Sequence, residues 1–337
     1  MVYRVCVAET EQVFEAAADE TILAAALRAN VELPHDCTLG GCGTCRIRLV
    51  EGSVAYSEFP LALTPDEASQ GYALACQAMP AGNLVISPAR GFTEMPPAAR
   101  HHAVVTAVRP VSARVTHLAL EVPGVTLLNY RPGQYMNIIL PDGSTRSFSM
   151  ASIPRDNRVD FQIRQIDGGC FTQGILQRMQ QGDRLEVDLP LGGFHLHTED
   201  DRPLLMVATG TGIAPIKAML ESLMDDPDCP PVSLYWGGRT ATDLFLLDEI
   251  QGWGERLFEF DFVPVLSRAD AAWDGRRGHV QQAVTLDFDD LSEHAIYLCG
   301  SPAMIFDAKL SFIDRGASVE HIYSEGFTHQ RAPPGPV

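Results

Sequence analysis

The chain has 337 residues and a formal net charge of −18. That length predicts two or three domains with separate cores, and the charge excludes binding of nucleic acid or anionic membrane through a basic surface. Residues 1–6 lack the apolar stretch of a signal peptide, and no apolar run reaches the about 18 to 20 residues that span a bilayer. We therefore expect a cytoplasmic protein, whose eight cysteines indicate metal or redox chemistry rather than structural disulfides.

The first 92 residues mix strands with a helix. Short apolar segments predict strands at 2–8 and 12–16. The alanine- and leucine-rich run at 22–29 favours a helix, and Asp19 or Thr21 is placed to cap its first turn.

The second block covers residues 103–198 and is predicted to be mostly β. It follows a linker at 93–102, which contains two prolines and no apolar periodicity. Many short strands separated by Gly, Pro, Asp and Asn are typical of an antiparallel barrel or sandwich, and one helix is predicted at 171–180. The predicted strands are 103–108, 114–121, 134–140, 145–150, 158–166 and 184–188.

The third block, residues 199–327, alternates strands with helices. That alternation predicts a parallel sheet with helices on both faces. The tail at 328–337 contains three prolines and is predicted to be disordered. The predicted strands are 203–208, 232–236, 260–266 and 295–299, and the predicted helices are 215–224, 242–249, 280–284 and 303–315.

Four cysteines have the spacing of a metal site: Cys37-x4-Cys42-x2-Cys45, followed after thirty residues by Cys76. Thiolates are soft donors that suit iron. A structural zinc site is the alternative, but it usually combines two C-x2-C pairs, and this sequence has one.

Glycines at 40, 41 and 43 let the loop between these cysteines turn sharply and direct N–H groups at sulfide. The spacing resembles the plant-type ferredoxins, which implies a β-grasp α+β module that holds a [2Fe–2S] cluster on the four cysteines. We expect the glycine loop to be the surface that meets the electron acceptor.

A flavin motif follows in the β block. Arg146 and Phe148 lie beside a predicted hairpin turn, and a glycine-rich helix start downstream is suited to an anion. Arg146, Phe148 and Ser149 resemble the Arg-x-Tyr/Phe-Ser/Thr motif of the ferredoxin–NADP⁺ reductase family. The resemblance implies that Arg146 pairs with the pyrophosphate of FAD, Phe148 lies against the isoalloxazine and Ser149 lies near flavin N5. The further residues expected to contact FAD are Ser147, Ile163, Gly168, Gly169 and Thr172.

The third block carries a glycine turn at Gly210, Thr211 and Gly212, where the first parallel strand ends. Open α/β sheets bind ligands at that edge, although a helix start packed tightly on its strand is the alternative. The same resemblance places Cys299 and Gly300 beside the nicotinamide. A buried strand-end thiol is the alternative for Cys299.

Two further groups of residues follow from this resemblance. Glu325 is expected near the reacting atoms, and Phe327 is expected to shield the flavin. Arg239 and Arg268 favour tolerance of NADPH, whereas a carboxylate in that region, such as Asp243, favours NADH, so the nucleotide stays open.

Ferredoxin, flavin barrel and nicotinamide domain in this order are similar to the reductase components of aromatic-ring-hydroxylating dioxygenases, most closely the terephthalate and benzoate types. The resemblance implies a monomeric NAD(P)H oxidoreductase that reduces a terminal Rieske-type oxygenase through FAD and [2Fe–2S], with Ser149, Cys299 and Glu325 as catalytic residues. It implies no nucleic-acid or membrane partner. The alternatives are a diiron monooxygenase or deoxysugar dehydratase as acceptor, or a redox carrier that is not an enzyme.

Overall fold

The computed structural model describes residues 1–31, 33–35, 40–41, 43–88, 97–197 and 201–327. Within these ranges the chain forms three large sheets, one after another along the sequence, and a small two-stranded sheet. We call residues 1–88 the N-terminal module, 97–197 the barrel and 201–327 the C-terminal domain. This arrangement confirms the predicted multidomain fold. Among the described residues, no helix is long and apolar enough to cross a membrane.

The N-terminal module is a mixed sheet with a helix packed on it, as the β-grasp prediction requires. The strand order is β2-β1-β7-β3-β5, in which β1 is parallel to β7 and the other pairs are antiparallel. Thr21 is the helix cap, since its side chain accepts from the N–H of Ala24. The elements are β1 (Val2–Val7), β2 (Val13–Ala17), α1 (Ile22–Arg28), β3 (Arg46–Glu51), β4 (Val54–Ala55), α2 (Pro65–Ser69), β5 (Tyr72–Leu74), β6 (Met79–Pro80) and β7 (Leu84–Pro88).

The barrel is a six-stranded antiparallel sheet in the order β11-β10-β13-β8-β9-β12. Its centre is filled by apolar side chains from facing strands, among them the fully buried Ile138, Phe161 and Val187. The elements are β8 (Ala99–Ser112), β9 (Val115–Glu121), β10 (Tyr135–Ile139), β11 (Thr145–Ser149), β12 (Arg158–Arg164), a π-helical turn (Cys170–Ile175), a 3-10 turn (Leu176–Arg178) and β13 (Arg184–Leu191).

The C-terminal domain is a parallel sheet in the order β17-β16-β15-β14-β18-β19, with helices on both faces. Helix α3 packs with one apolar cluster, and α5 and α6 pack with another on the opposite face. The strands are β14 (Leu204–Thr209), β15 (Val232–Gly238), β16 (Phe260–Leu266), β17 (Arg276–Arg277), β18 (Ala295–Gly300) and β19 (Ile322–Gly326). The helices are α3 (Ile213–Leu223), α4 (Leu247–Gln251), α5 (Val280–Asp287) and α6 (Pro302–Ile313), and the 3-10 turns are Gly210–Gly212, Ala241–Asp243, Gly252–Glu255 and Val319–His321.

Three local predictions are wrong. The linker predicted at 93–102 overlaps β8, because residues 99–102 pair with β13 and Arg100 forms an ion pair with Asp188 across the sheet. The helix predicted at 171–180 is a π-helical turn followed by a 3-10 turn, with Gly174 inside it. The helix predicted at 242–249 is interrupted, because Asp243 accepts from two backbone N–H groups and closes a separate turn. The predicted tail lies outside the described residues.

Candidate functional site

Two of the four predicted iron ligands lie together in the N-terminal module. Cys45 and Cys76 are 3% and 5% exposed, and the N–H of Ala75 donates to the carbonyl of Cys45 over 2.9 Å. Cys37 and Cys42 lie outside the described residues. These two buried thiols beside a glycine-rich loop are two of the four thiolate donors that the predicted iron–sulfur cluster requires.

The glycine loop consists of Gly40, Gly41 and Gly43, and its residues Gly41 and Gly43 face the C-terminal domain. Gly40 and Gly43 have φ angles of +70° and +80°, which suit glycine. A side chain at Gly326, the last residue of β19, would collide with the carbonyl of Gly41. Gly40 and Gly41 are buried, so the expectation that this loop is open to an acceptor is wrong for these two residues.

The three predicted catalytic residues converge where the barrel meets the C-terminal domain. The Ser149 hydroxyl, at the end of β11, donates to Glu325 Oε2 over 3.2 Å. Glu325 lies on β19 directly beside Cys299 on β18 in the sheet register. All three side chains are at most 9% exposed, so a hydroxyl, a carboxylate and a thiol meet in one water-poor position.

Cys299 remains a thiol rather than a thiolate. Burial raises its pKa well above the usual range, and the neighbouring Glu325 raises it further. A raised pKa lowers the fraction of reactive thiolate, so Cys299 is poorly suited to act as a covalent nucleophile.

The flavin motif forms part of the barrel wall. Phe148 lies against Phe171 with ring centroids 5.2 Å apart. Arg146, on the same edge strand, is half-buried and donates to the carbonyl of Thr145 over 2.7 Å. Ser147 is exposed and donates to Asn137. An aromatic face next to a guanidinium fits a planar ring system that carries a pyrophosphate.

The turn that follows β12 is tightly closed by its own side chains. The Thr172 hydroxyl bonds both the N–H and the carbonyl of Ile166, at 3.0 and 3.3 Å. A Cβ at Gly169 would lie 2.5 Å from that hydroxyl, and the N–H of Gly168 is donated to Gln173. Gly168 and Thr172 therefore shape the turn, and their expected contact with the FAD pyrophosphate stays a prediction.

The glycine turn Gly210–Gly212 brings the ends of β14 and β18 together. A side chain at Gly212 would collide with the carbonyl of Cys299, and one at Gly300 would collide with the Thr209 hydroxyl. Both glycines are thus required for close approach of two backbones. The resulting crevice lies at the carboxyl edge of the parallel sheet, where dinucleotides bind.

Comparisons with known proteins agree with this division of the chain. Residues 6–81 match the 2Fe-2S iron-sulfur cluster binding domain, residues 102–196 the oxidoreductase FAD-binding domain and residues 206–309 the oxidoreductase NAD-binding domain. Protein RfbI of Salmonella typhimurium is 34% identical over 94% of this chain and 93% of its own length. Terephthalate 1,2-dioxygenase reductase component 2 of Comamonas sp. is 31% identical over 97% and 98% of the two chains.

This chain belongs to the iron–sulfur flavoprotein reductases. The crystal structure of the Amycolatopsis cytochrome P450 reductase GcoB superposes on it with a TM-score of 0.71 and 30% identity, over 97% of this chain and 99% of the other. The predicted cofactors, [2Fe–2S], FAD and NAD(P)H, are confirmed by the three matched domains. The same matches make the reductase an oxidoreductase, which removes the alternative of a carrier without enzymatic activity.

Arg164 is a residue of the reductase that sequence reasoning missed. Ile163 is 1% exposed in the barrel core, whereas Arg164, the next residue on β12, extends to within 3.7 Å of a Cβ position at Gly210. A guanidinium beside the glycine turn suits a phosphate. The alternation of buried and accessible residues along β12 was the available signal.

Trp236 is a second residue that sequence reasoning missed. Its indole N–H donates to the carbonyl of Gly210 over 2.9 Å and holds the turn from the side of β15.

Phe327, expected to shield the flavin, is half-buried, and its N–H donates to the carbonyl of Gly300 over 2.8 Å. It therefore lies at the same edge of the sheet as Cys299.

Arg239 and Arg268 of the reductase are exposed on adjacent loops, joined by a hydrogen bond from the N–H of Arg268 to the carbonyl of Arg239 over 2.8 Å. Asp243 accepts from the N–H groups of Arg239 and Thr240, at 2.9 and 3.0 Å. That carboxylate is thus used within the turn, and two guanidinium groups are left to contact a ribose phosphate.

We expect the double substitution Arg239→Ala with Arg268→Ala to raise the KM for NADPH by about tenfold or more, as the loss of charge-assisted hydrogen bonds implies. The KM for NADH should change little. Steady-state rates with both nucleotides measure this, with Arg184→Ala, an exposed arginine of the barrel, as the control. An equal rise for both nucleotides would show that the arginines do not read the 2′-phosphate.

Proposed function

We propose that this reductase carries electrons from NAD(P)H, through FAD and the [2Fe–2S] cluster, to the terminal Rieske-type oxygenase of an aromatic-ring-hydroxylating dioxygenase. The observation that carries the proposal is the course of strand β19. Its Glu325 bonds the Ser149 hydroxyl of the flavin motif, and the next residue, Gly326, is in contact with the carbonyl of Gly41 in the glycine loop. One strand therefore touches both the flavin side and the cluster side.

FAD, when bound, converts a two-electron hydride donor into a source of single electrons for the cluster. The protein supplies position and electrostatics around that chemistry. Arg146 is placed for the pyrophosphate, and Phe148 for the ring face. Ser149, Cys299 and Glu325 enclose the site where nicotinamide and flavin would meet and exclude water from it.

The choice of an aromatic-ring oxygenase as acceptor is supported by the near full-length likeness to a terephthalate dioxygenase reductase and by the resemblance of the motifs around Arg146, Gly212 and Cys299. We further propose that the reductase acts as a cytoplasmic monomer with no nucleic-acid or membrane partner, and the net charge of −18 is unfavourable for binding of nucleic acid or an anionic membrane.

The proposal is tested by offering the reduced holoenzyme three purified acceptors: a Rieske oxygenase component, a diiron monooxygenase hydroxylase and a deoxysugar dehydratase. We expect NAD(P)H-dependent reduction of the Rieske centre, followed by electron paramagnetic resonance, at a rate well above that of the other two. An acceptor reaction without the reductase is the control. Faster reduction of the hydroxylase or the dehydratase would identify that protein as the acceptor and contradict the dioxygenase proposal.

A further inference from the structure

Lysine is rare in this chain and occurs where it is least expected. Two of the 25 lysine and arginine residues are lysines, Lys217 and Lys309. Lys309, on α6 of the C-terminal domain, is 0% exposed. Lysine side chains are almost never fully buried unless they are paired, so the surroundings of Lys309 must compensate its charge.

The partners of Lys309 belong to the N-terminal module. Its Nζ donates to the carbonyl of Ala62 over 3.2 Å and lies 3.8 Å from Glu67 Oε1. Arg46 Nη2 lies 2.7 Å from the same carboxylate oxygen. The three side chains form a buried ionic trio, Arg46–Glu67–Lys309, at the interface of two domains far apart in the sequence.

Glu67 is held in its charged form. Burial acts to raise the pKa of Glu67, but the charges of Lys309 and Arg46, with hydrogen bonds from Thr64, outweigh it and hold the pKa below its usual value. The N–H of Thr64 donates to Glu67 Oε2 over 2.6 Å as part of a capping box on α2. The carboxylate is therefore held by contacts within the N-terminal module as well as by Lys309.

The interface continues on both sides of the trio. Arg46 Nη1 donates to the carbonyl of Val319 over 3.3 Å, and the Tyr72 hydroxyl donates to Glu320 over 3.1 Å. These contacts join β3 and β5 to the 3-10 turn just before β19. The trio and these neighbouring contacts therefore belong to one interface between the N-terminal module and the segment that leads into β19.

The trio also lies beside the glycine loop. A Cβ at Gly43 would be 3.7 Å from both Lys309 Nζ and Arg46 Nη2. The trio has one net positive charge, and a cluster held by four thiolates is negative. Nearby positive charge favours the reduced form of such a cluster, because net charge is one determinant of its potential.

We propose that Lys309 is a positioning residue for electron transfer: it docks the N-terminal module on α6, holds the glycine loop against β19, and makes the cluster easier to reduce. This inference rests on the proposed electron-transfer function. A purely structural ion pair makes a different prediction, because a buried pair can often be replaced by apolar residues without loss of stability. The proposed role of Lys309 predicts instead that electron transfer to the cluster changes.

The test uses the purified holoenzyme and the variant Lys309→Met, which keeps the length of the side chain and removes its charge. After mixing with NAD(P)H, we expect the flavin absorbance to bleach at the wild-type rate. Bleaching of the cluster should slow by about tenfold or more, because a misplaced reacting group costs that much or more. Potentiometric titration followed by electron paramagnetic resonance should give a more negative cluster potential.

Arg48→Met is the matched control, because Arg48 is an exposed cation on the same strand as Arg46. It should leave both the bleaching rate and the potential close to wild type. If Lys309→Met leaves the cluster rate and potential unchanged, or if Arg48→Met shifts the potential equally, Lys309 has no such role.

Glu67→Gln keeps the proposal testable should Lys309→Met fail to fold. It removes negative charge, so the cluster potential should move in the positive direction, while cluster bleaching again slows because the dock is weakened. A move in the negative direction would overturn the electrostatic part of the proposal. Both readouts are internal to the reductase, so a failure to reduce any Rieske oxygenase would contradict the proposed partner and leave this result standing.

Discussion

Replacing Cys76 with serine is expected to abolish electron delivery to the proposed oxygenase acceptor while NAD(P)H still reduces the flavin. A hydroxyl is a hard and weakly acidic donor, so it replaces a thiolate poorly as an iron ligand. Cys76 is 5% exposed, so the variant loses one of the four thiolate ligands at a buried position. Anaerobic titration with NAD(P)H, followed by absorbance, should show bleaching of the flavin band and a greatly reduced iron–sulfur band.

Cys229→Ser is the control for this experiment. Cys229 is also buried, but it lies in the C-terminal domain and packs in the apolar cluster around α3. This variant should retain both bands and full electron delivery. If delivery to the acceptor survives in Cys76→Ser, electrons leave the reductase directly from the flavin, and the cluster is not the exit.

Replacing Glu325 with glutamine is expected to slow flavin reduction by NAD(P)H about 100-fold, because removing one preorganised electrostatic group from a water-poor reacting site has effects of that size. Glutamine keeps the shape of the side chain, but it loses the carboxylate that accepts from Ser149 at 3.2 Å and lies beside Cys299 in the sheet register. Single-turnover absorbance at saturating nucleotide measures the step and separates it from binding.

Two further variants decide what the Glu325 result means. Ser149→Ala should slow the same step, since it removes the hydrogen bond from the other side. Glu249→Gln, at a half-exposed position on α4, should have no effect. A wild-type rate in Glu325→Gln would place this carboxylate outside the reacting site.

The sequence was sufficient for features that depend on short spacing. The Arg146–Ser149 motif and the turn Gly210–Gly212 each occupy a few consecutive residues, and the close backbone approach at the turn is visible in its glycines. The strand–helix alternation likewise predicted the parallel sheet with helices on both faces. These signals are local, so they can be recognised without knowledge of the tertiary structure.

Long-range contacts were not predictable in the same way. Lys309 and Ala62 are joined by a hydrogen bond across 247 positions of sequence, and no periodic pattern links them. The close approach of β19 to Gly41 depends on Gly326, where any side chain would collide with the carbonyl of Gly41. Residues 99–102 were predicted to belong to a linker because they lack apolar periodicity, although their backbone pairs with β13.

The contact between Gly41 and Gly326 limits how such modules can be recombined by protein engineering. A foreign ferredoxin fused ahead of β8 must present a loop without side chains to β19 and a fixed carboxylate to Lys309. A fusion that lacks either feature would be tethered to the flavoprotein without docking on it. A productive chimera therefore exchanges residues of α6 and β19 together with the ferredoxin. The length of the connecting segment matters less for docking than this match between the two surfaces.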